Sequence, residues 1–141
     1  MEINSISNGI VIDHLSAGSG LKVLDYLNID TGLGSVALIM NVKSKKYGKK
    51  DLIKLENVQN VDINILGLIN PDATIIYIKN DKIEKKEKLS LPAKVTNILK
   101  CKNPRCITSV ESVPNIFHKA DDNGKYKCEY CDNLIETDLL K

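Results

Sequence analysis

Four cysteines and two lysine runs carry most of the chemistry open to this 141-residue sequence. Cys101 and Cys106 lie in "KCKNPRCI", and Cys128 and Cys131 in "KCEYC", giving the spacing C-x4-C-x21-C-x2-C. Two close pairs joined by a 21-residue segment can converge on one ion. Four thiolates in tetrahedral array suit zinc in a closed, structural site, because no position stays open for water or substrate. The competing chemistries are a redox pair at Cys128 and Cys131, or iron held in the same geometry. Lys100, Lys102, Arg105, Lys125 and Lys127 flank the cysteines and would offset the negative charge of such a cluster. Residues 93–141 are too few to bury a self-sufficient core, so a metal staple is the expected source of their stability.

The lysine runs are "KSKKYGKK" at 43–50 and "KNDKIEKKEK" at 79–88, with five lysines each. A solvated loop and a charged edge hairpin explain them as protection against strand-edge aggregation. A phosphate-binding surface is the functional alternative. Binding of single-stranded nucleic acid would want stacking rings beside the cations, and one Phe, no Trp and five scattered Tyr supply that platform poorly. "AGSG" and "TGLGS" match neither a Walker loop nor a dinucleotide fingerprint and read as turns. Asp13-His14 resembles half of a charge relay, but only His118 offers a second imidazole and no serine sits on a nucleophile elbow. The residues point to a binding module rather than an enzyme.

Apolar residues make up 43% of the chain and charged residues 27%, ordinary values for a soluble globular protein. The longest apolar runs, such as "VALIM" at 36–40, are too short to span a bilayer. The N-terminus has no basic region ahead of an apolar core, so no export signal is expected. A cytoplasmic location follows, in which thiols stay reduced and disulfides are disfavoured. A net charge of +2 does not by itself imply a nucleic-acid or membrane partner.

These groups must be positioned by two unequal parts that divide near residues 89–96, giving 1–92 and 93–141. "IVIDHL", "SVALIMNVK" and "KKDLIKLENV" read as strands, the last alternating Leu52, Lys54 and Glu56 against Ile53 and Leu55. "SGLKVLDYLN" reads as a helix with Leu21, Leu24 and Leu27 on one face and Ser19 as its cap. "NVDINILGLIN" reads as a second helix, with Ile63, Leu66 and Ile69 or Leu68 at helical spacing, capped by Asn60 and stopped by Pro71. "ATIIYIKNDKIEKKEKL" reads as a hairpin turning at "KNDK". The order β-α-β-β-α-β plus one strand is that of an α+β ferredoxin-like sandwich, an antiparallel sheet with both helices on one face. Its other face must be solvated or covered by a partner. The second part is expected to be a small β-rich metal-binding domain. Residues 93–99 form a short amphipathic stretch expected to pack between the two parts.

"GIVIDH", "GKKDLIKLEN", "LSLP" and the cysteine spacing, in this order over nearly the whole chain, resemble the regulatory chains of aspartate carbamoyltransferase. The resemblance implies a non-catalytic subunit in pyrimidine biosynthesis that forms homodimers through the sheet of its N-terminal domain. It implies one structural Zn2+ per chain, in a domain that docks against catalytic chains. CTP, ATP and UTP would bind the N-terminal domain and shift the holoenzyme between two states. The implied triphosphate contacts fall on Lys86, His14 and the N-terminal segment, and ribose and phosphate contacts on Asp13 and Lys54. Base contacts fall on backbone groups of Ile3, Asn4, Ser5 and Ile6, and of Ile78 and Ile83. Three positions depart from the pattern: Asn4 replaces an acid, Ile76 an asparagine and Asp81 an aromatic residue. They bear on the choice between pyrimidine and purine effectors.

Overall fold

The computed structural model describes residues 6–29, 32, 34–45 and 48–137. Its first half is a five-stranded antiparallel sheet built from β1 (Gly9–Ser16), β2 (Val36–Ser44), β3 (Gly48–Glu56), β4 (Thr74–Lys79) and β5 (Lys82–Lys88). The strand order β2-β3-β1-β4-β5 is that of the expected ferredoxin-like sandwich with one strand added at an edge. Helices α1 (Gly20–Leu27) and α2 (Ile63–Ile69) follow β1 and β3. Alternation decides which face they cover, since successive strand side chains point to opposite sides. Ile10, Ile12, Leu15, Ile53, Leu55 and Ile75 share one buried cluster with Val23 of α1 and with Leu66 and Ile69 of α2. Both helices therefore lie on one side. The intervening residues Val11, Lys54, Ile76 and Ile78 belong to the other.

The helices differ in detail from their sequence signature. Leu24 and Leu27 pack on the core, but Leu21 is 63% exposed and Val23 takes the inward position. Ser19 makes no side-chain cap; its hydroxyl donates to the Ser16 carbonyl at 2.6 Å. The acceptor at the start of α1 comes instead from β3, where the fully buried Asp51 accepts from the Gly20 N–H at 2.8 Å. The other Asp51 oxygen accepts from the Asn41 N–H at 3.0 Å, within a bulge of β2 where Asn41 is left-handed (φ 61°). The second helix is capped by Asp62, not Asn60: the Asp62 carboxylate accepts from the N–H groups of Asn64 and Ile65. This shortens α2 to seven residues and leaves Ile63 exposed, while Pro71 follows its C-cap Asn70 as expected.

A second sheet contains β6 (Lys94–Thr96), β7 (Ile116–Lys119), β8 (Lys125–Cys128) and β9 (Leu134–Glu136), in that order and antiparallel. The stretch at 93–99 supplies its first strand and, through Val95 and Leu99, also packs against Leu68 of α2, between the two parts as expected. Val95, Leu99, Phe117 and Tyr126 form the core with three of the cysteines. Tyr126 is fully buried, and its hydroxyl donates to the Pro92 carbonyl at 2.7 Å, which supplies the partner that a buried phenol requires.

The two sheets meet through α2. Leu66 and Ile69 belong to the first cluster, whereas Leu68 packs into the second. Between them Gly67 runs so close to the chain segment after β5 that a Cβ there would sit 2.5 Å from the Ser90 carbonyl oxygen. Helix propensity alone would favour alanine by about 1 kcal/mol, but overpacking against a fixed carbonyl costs about 1–3 kcal/mol. Gly67→Ala is expected to lower stability by about 1 kcal/mol in urea denaturation; an increase in stability would show that the segment can move aside.

Candidate metal centre and lysine-bordered sheet face

The loop after Leu99 carries Cys101 and Cys106, and the end of β8 with the turn to β9 carries Cys128 and Cys131. Asn103 shapes the first knuckle: its side-chain oxygen accepts from the Arg105 N–H at 3.0 Å and its carbonyl from the Cys106 N–H at 3.1 Å. The four Sγ atoms lie within 4.8 Å of one another, with Cys101–Cys131 at 3.6 Å and Cys106–Cys128 at 3.7 Å. A disulfide would need about 2.05 Å, so all four are free thiols. A tetrahedron with metal–sulfur bonds of about 2.3 Å has edges of about 3.8 Å, close to the separations seen.

Electrostatics also favour an ion here. Burial pushes the Cys101 thiol up to about 12 and raises Cys128 as well. Cys106 goes the other way, to about 7, because the Thr108 hydroxyl and then the Thr108 N–H donate to its sulfur. Four sulfurs this close and this buried repel one another as thiolates unless a cation lies among them. The residues present fit a metal.

The second group of candidates lies on the sheet face away from the helices. Strand register places Lys54 beside Val11, Val11 beside Ile76, and Ile76 beside Lys86. These four residues form a single row across β3, β1, β4 and β5. The next row on that face runs from Gly9 to Ile78 to Ile83, and the row on the other side from Asp13 to Thr74 to Lys88. The face is thus an apolar strip bordered by lysines. A bulge after Ile12 turns Asp13 and His14, the latter left-handed at φ 59°. The Asp13 carboxylate accepts from the His14 N–H at 2.7 Å and pairs with Lys50 at 2.8 Å. His14 Nδ1 lies 3.2 Å from the Thr74 hydroxyl, so Asp13-His14 is a polar pair at a bulge and joins the same face.

Of the expected binding residues, Asp13, His14, Lys54, Ile78, Ile83 and Lys86 are therefore brought together. Ile6 is buried, with its side chain near Gly9. Ile3, Asn4 and Ser5 lie outside the described residues. Val11 and Thr74 complete the face without having been singled out, and Lys50 and Lys88 bring in the ends of the two lysine runs. The period-two alternation that separated Lys54 from Ile53 would have paired Lys86 with Lys88 as well. Recesses open at both ends of β1. One of about 450 Å³ is lined by Asn8, Gly9, Asn57, Tyr77, Ile78 and Glu84 among others, and one of about 280 Å³ by His14, Ser16, Ala17, Lys49 and Asp72. Among the described residues no helix is long and apolar enough to cross a membrane.

Comparison with known families brings both sites under one heading. The family model for the allosteric domain of the aspartate carbamoyltransferase regulatory chain matches residues 1–90, and the model for its metal-binding domain matches residues 93–141. The chain belongs to this family. Aspartate carbamoyltransferase regulatory chains from Clostridium botulinum (strain Hall) and Clostridium acetobutylicum are 52% identical over 136 residues and 51% identical over 138 residues. The first alignment covers 95% of this chain and 93% of the relative, and the second 96% and 94%. The regulatory chain from Bifidobacterium longum is 43% identical over 134 residues, covering 94% and 96%. As a member of the aspartate carbamoyltransferase regulatory chains, the protein is a non-catalytic subunit with an allosteric and a metal-binding domain. The sulfur cluster lies within the metal-binding match and the lysine-bordered face within the allosteric one.

Proposed function

We propose that the chain is divided at 92/93 into a nucleotide-sensing domain and a zinc domain, and that it regulates aspartate carbamoyltransferase in the cytoplasm by binding nucleoside triphosphates. The row Lys54–Val11–Ile76–Lys86 carries this reading. A base and sugar lie against the apolar strip near Gly9, Ile78 and Ile83, where backbone groups read the base. The phosphates extend toward Lys54, Lys86 and His14, which supply point charges and an imidazole donor to anionic oxygens. Asp13, held by Lys50, accepts from sugar hydroxyls and keeps that lysine beside the phosphates. Both edges of the five-stranded sheet belong to this domain, through which two copies pair as a homodimer.

Cys101, Cys106, Cys128 and Cys131 hold one zinc ion, which supplies structural cross-linking and no open coordination position. The zinc domain docks to the catalytic chains of the holoenzyme. Large apolar side chains exposed close to the cysteines in sequence support a docking role: Ile107 and Val110 after Cys106, Tyr130 between Cys128 and Cys131, and Leu134 on β9.

Calorimetric titration with CTP, ATP and UTP tests the sensing role. Hydrogen bonds to charged groups contribute about 1.5–3 kcal/mol, and solvent exposure of Lys86 places the effect at the lower end. Lys54→Ala and Lys86→Ala are each expected to weaken triphosphate binding about 10-fold. Tight, salt-sensitive binding of a generic oligonucleotide, with no saturable triphosphate uptake, would overturn the reading in favour of a nucleic-acid-binding protein.

A further inference from the structure

The four sulfurs do not have equivalent surroundings. Among the described residues Cys106 is the one whose sulfur receives a side-chain hydroxyl, from Thr108 Oγ1 at 3.2 Å. That hydroxyl is held in place. Thr108 sits within a single 3-10 turn, Ile107–Ser109, that starts from Cys106 itself. The turn is closed by the Ser109 N–H on the Cys106 carbonyl at 2.9 Å and by the Glu111 N–H on the Ile107 carbonyl at 2.8 Å. The Ser109 hydroxyl donates to the Asn103 carbonyl at 2.9 Å, tying the turn back to the knuckle loop before it. Depth adds a second asymmetry. Cys106 and Cys128 are 1% and 0% exposed, whereas Cys131 is only half-buried.

We propose that Thr108 is a positioning residue of the metal centre, whose hydroxyl clamps the Cys106 sulfur as the ligand that stays longest on the ion. This rests on the metal-binding reading of the four cysteines. A donor fixed by the closed turn holds the sulfur in one orientation, so the ligand is positioned before the ion binds. Loss of the ion then begins at the half-buried Cys131, and the deep Cys106–Cys128 side is the last to let go. Partners of this kind around metal ligands typically change affinity about 10- to 100-fold when removed.

The full chain, loaded with zinc and separately with cobalt(II), is titrated against a chromophoric chelator for wild type, Thr108→Val and Thr108→Ser. Thr108→Val keeps the side-chain shape without the hydroxyl and is expected to lose about 10-fold in metal affinity. Its sulfur-to-cobalt charge-transfer band should move to lower energy, since the sulfur loses its donor. Thr108→Ser should restore both affinity and band position. Because Thr108 is half-exposed, Thr108→Ala repeats the hydroxyl deletion with less bulk should the valine variant fail to fold. The proposal is overturned if the hydroxyl-free variants hold metal as tightly as wild type with an unshifted band, or if serine behaves like valine. A wild-type chain that takes up no metal would overturn the metal-binding reading as well, and so tells the two failures apart.

Discussion

Stripping the metal from the full chain is expected to unfold the second sheet and leave the first standing. The asymmetry follows from what each core is made of. The second sheet has strands of only three or four residues, and its buried cluster counts three cysteines beside Val95, Leu99, Phe117, Tyr126 and Leu68. Structural zinc in small domains contributes about 10–16 kcal/mol at neutral pH, as much as the whole net stability of an ordinary domain, about 5–15 kcal/mol. The first sheet contains no cysteine and closes its own aliphatic core. Segment-resolved hydrogen exchange, with and without a strong chelator, provides the measurement. The amides of β7 and β8 should lose protection entirely, while those of β1, β3 and β4 keep theirs. Cys128→Ser should reproduce the same division without chelator. Protection retained in β7 and β8 after complete metal removal would mean that Phe117 and Tyr126 alone suffice as a core.

The largest effect within the first sheet is expected from Asp51→Ala. Its carboxylate is fully buried and accepts two backbone N–H groups, from Gly20 and Asn41. An orphaned buried donor such as the Gly20 N–H costs about 1–3 kcal/mol, and with the part-buried Asn41 bond also lost the substitution should destabilise the domain by about 3 kcal/mol. For a unit of this size that corresponds to a fall in Tm of about 15 °C. A carboxylate at a helix N-terminus also complements the helix dipole, which alanine cannot do. Asp51→Asn retains one acceptor and should lie between the two. Thermal unfolding of the full chain, metal-loaded so that the second sheet is unaffected, gives the shift directly. A loss below about 1 kcal/mol would show that water or a rearranged bulge takes over the two donors.

Asp51 also marks where the sequence stops being informative. Period-two alternation and cysteine spacing are local or nearly local signals. They placed β1 to β5, the hairpin turn and the pairing of the four cysteines that the fold clusters, and the order of elements then limits the topology to few choices. Helix caps resisted because a neighbouring strand can take over a local role. Ser19 has the right chemistry for a cap, yet Asp51, 31 residues beyond Gly20, reaches the same helix end. Asp62 prevails over Asn60 because its carboxylate meets two N–H groups at once. Leu21 and Ile63 have helical spacing but face outward, since two short helices need only a narrow apolar stripe each. On the lysine-bordered face, the lysines were visible as runs, but their grouping with Val11 and Ile76 depends on strand register, including bulges in β1 and β4/β5 that no single strand announces. The hydroxyl beside Cys106 is still less visible: a threonine two residues past a cysteine is unremarked until the 3-10 turn brings them to 3.2 Å.

Helix α2 holds Leu66 and Ile69 in one core and Leu68 in the other, with Gly67 pressed against Ser90. A rod of seven residues is about 10 Å long, and no loop separates the two sets of contacts. Slack is what lets neighbouring units move independently, and α2 sets its two groups of contacts on adjoining residues of one rod. Any rotation that repacks Leu66 against the sheet swings Leu68 inside the metal-stapled unit by the same angle. The helix works as a gear tooth shared by two wheels.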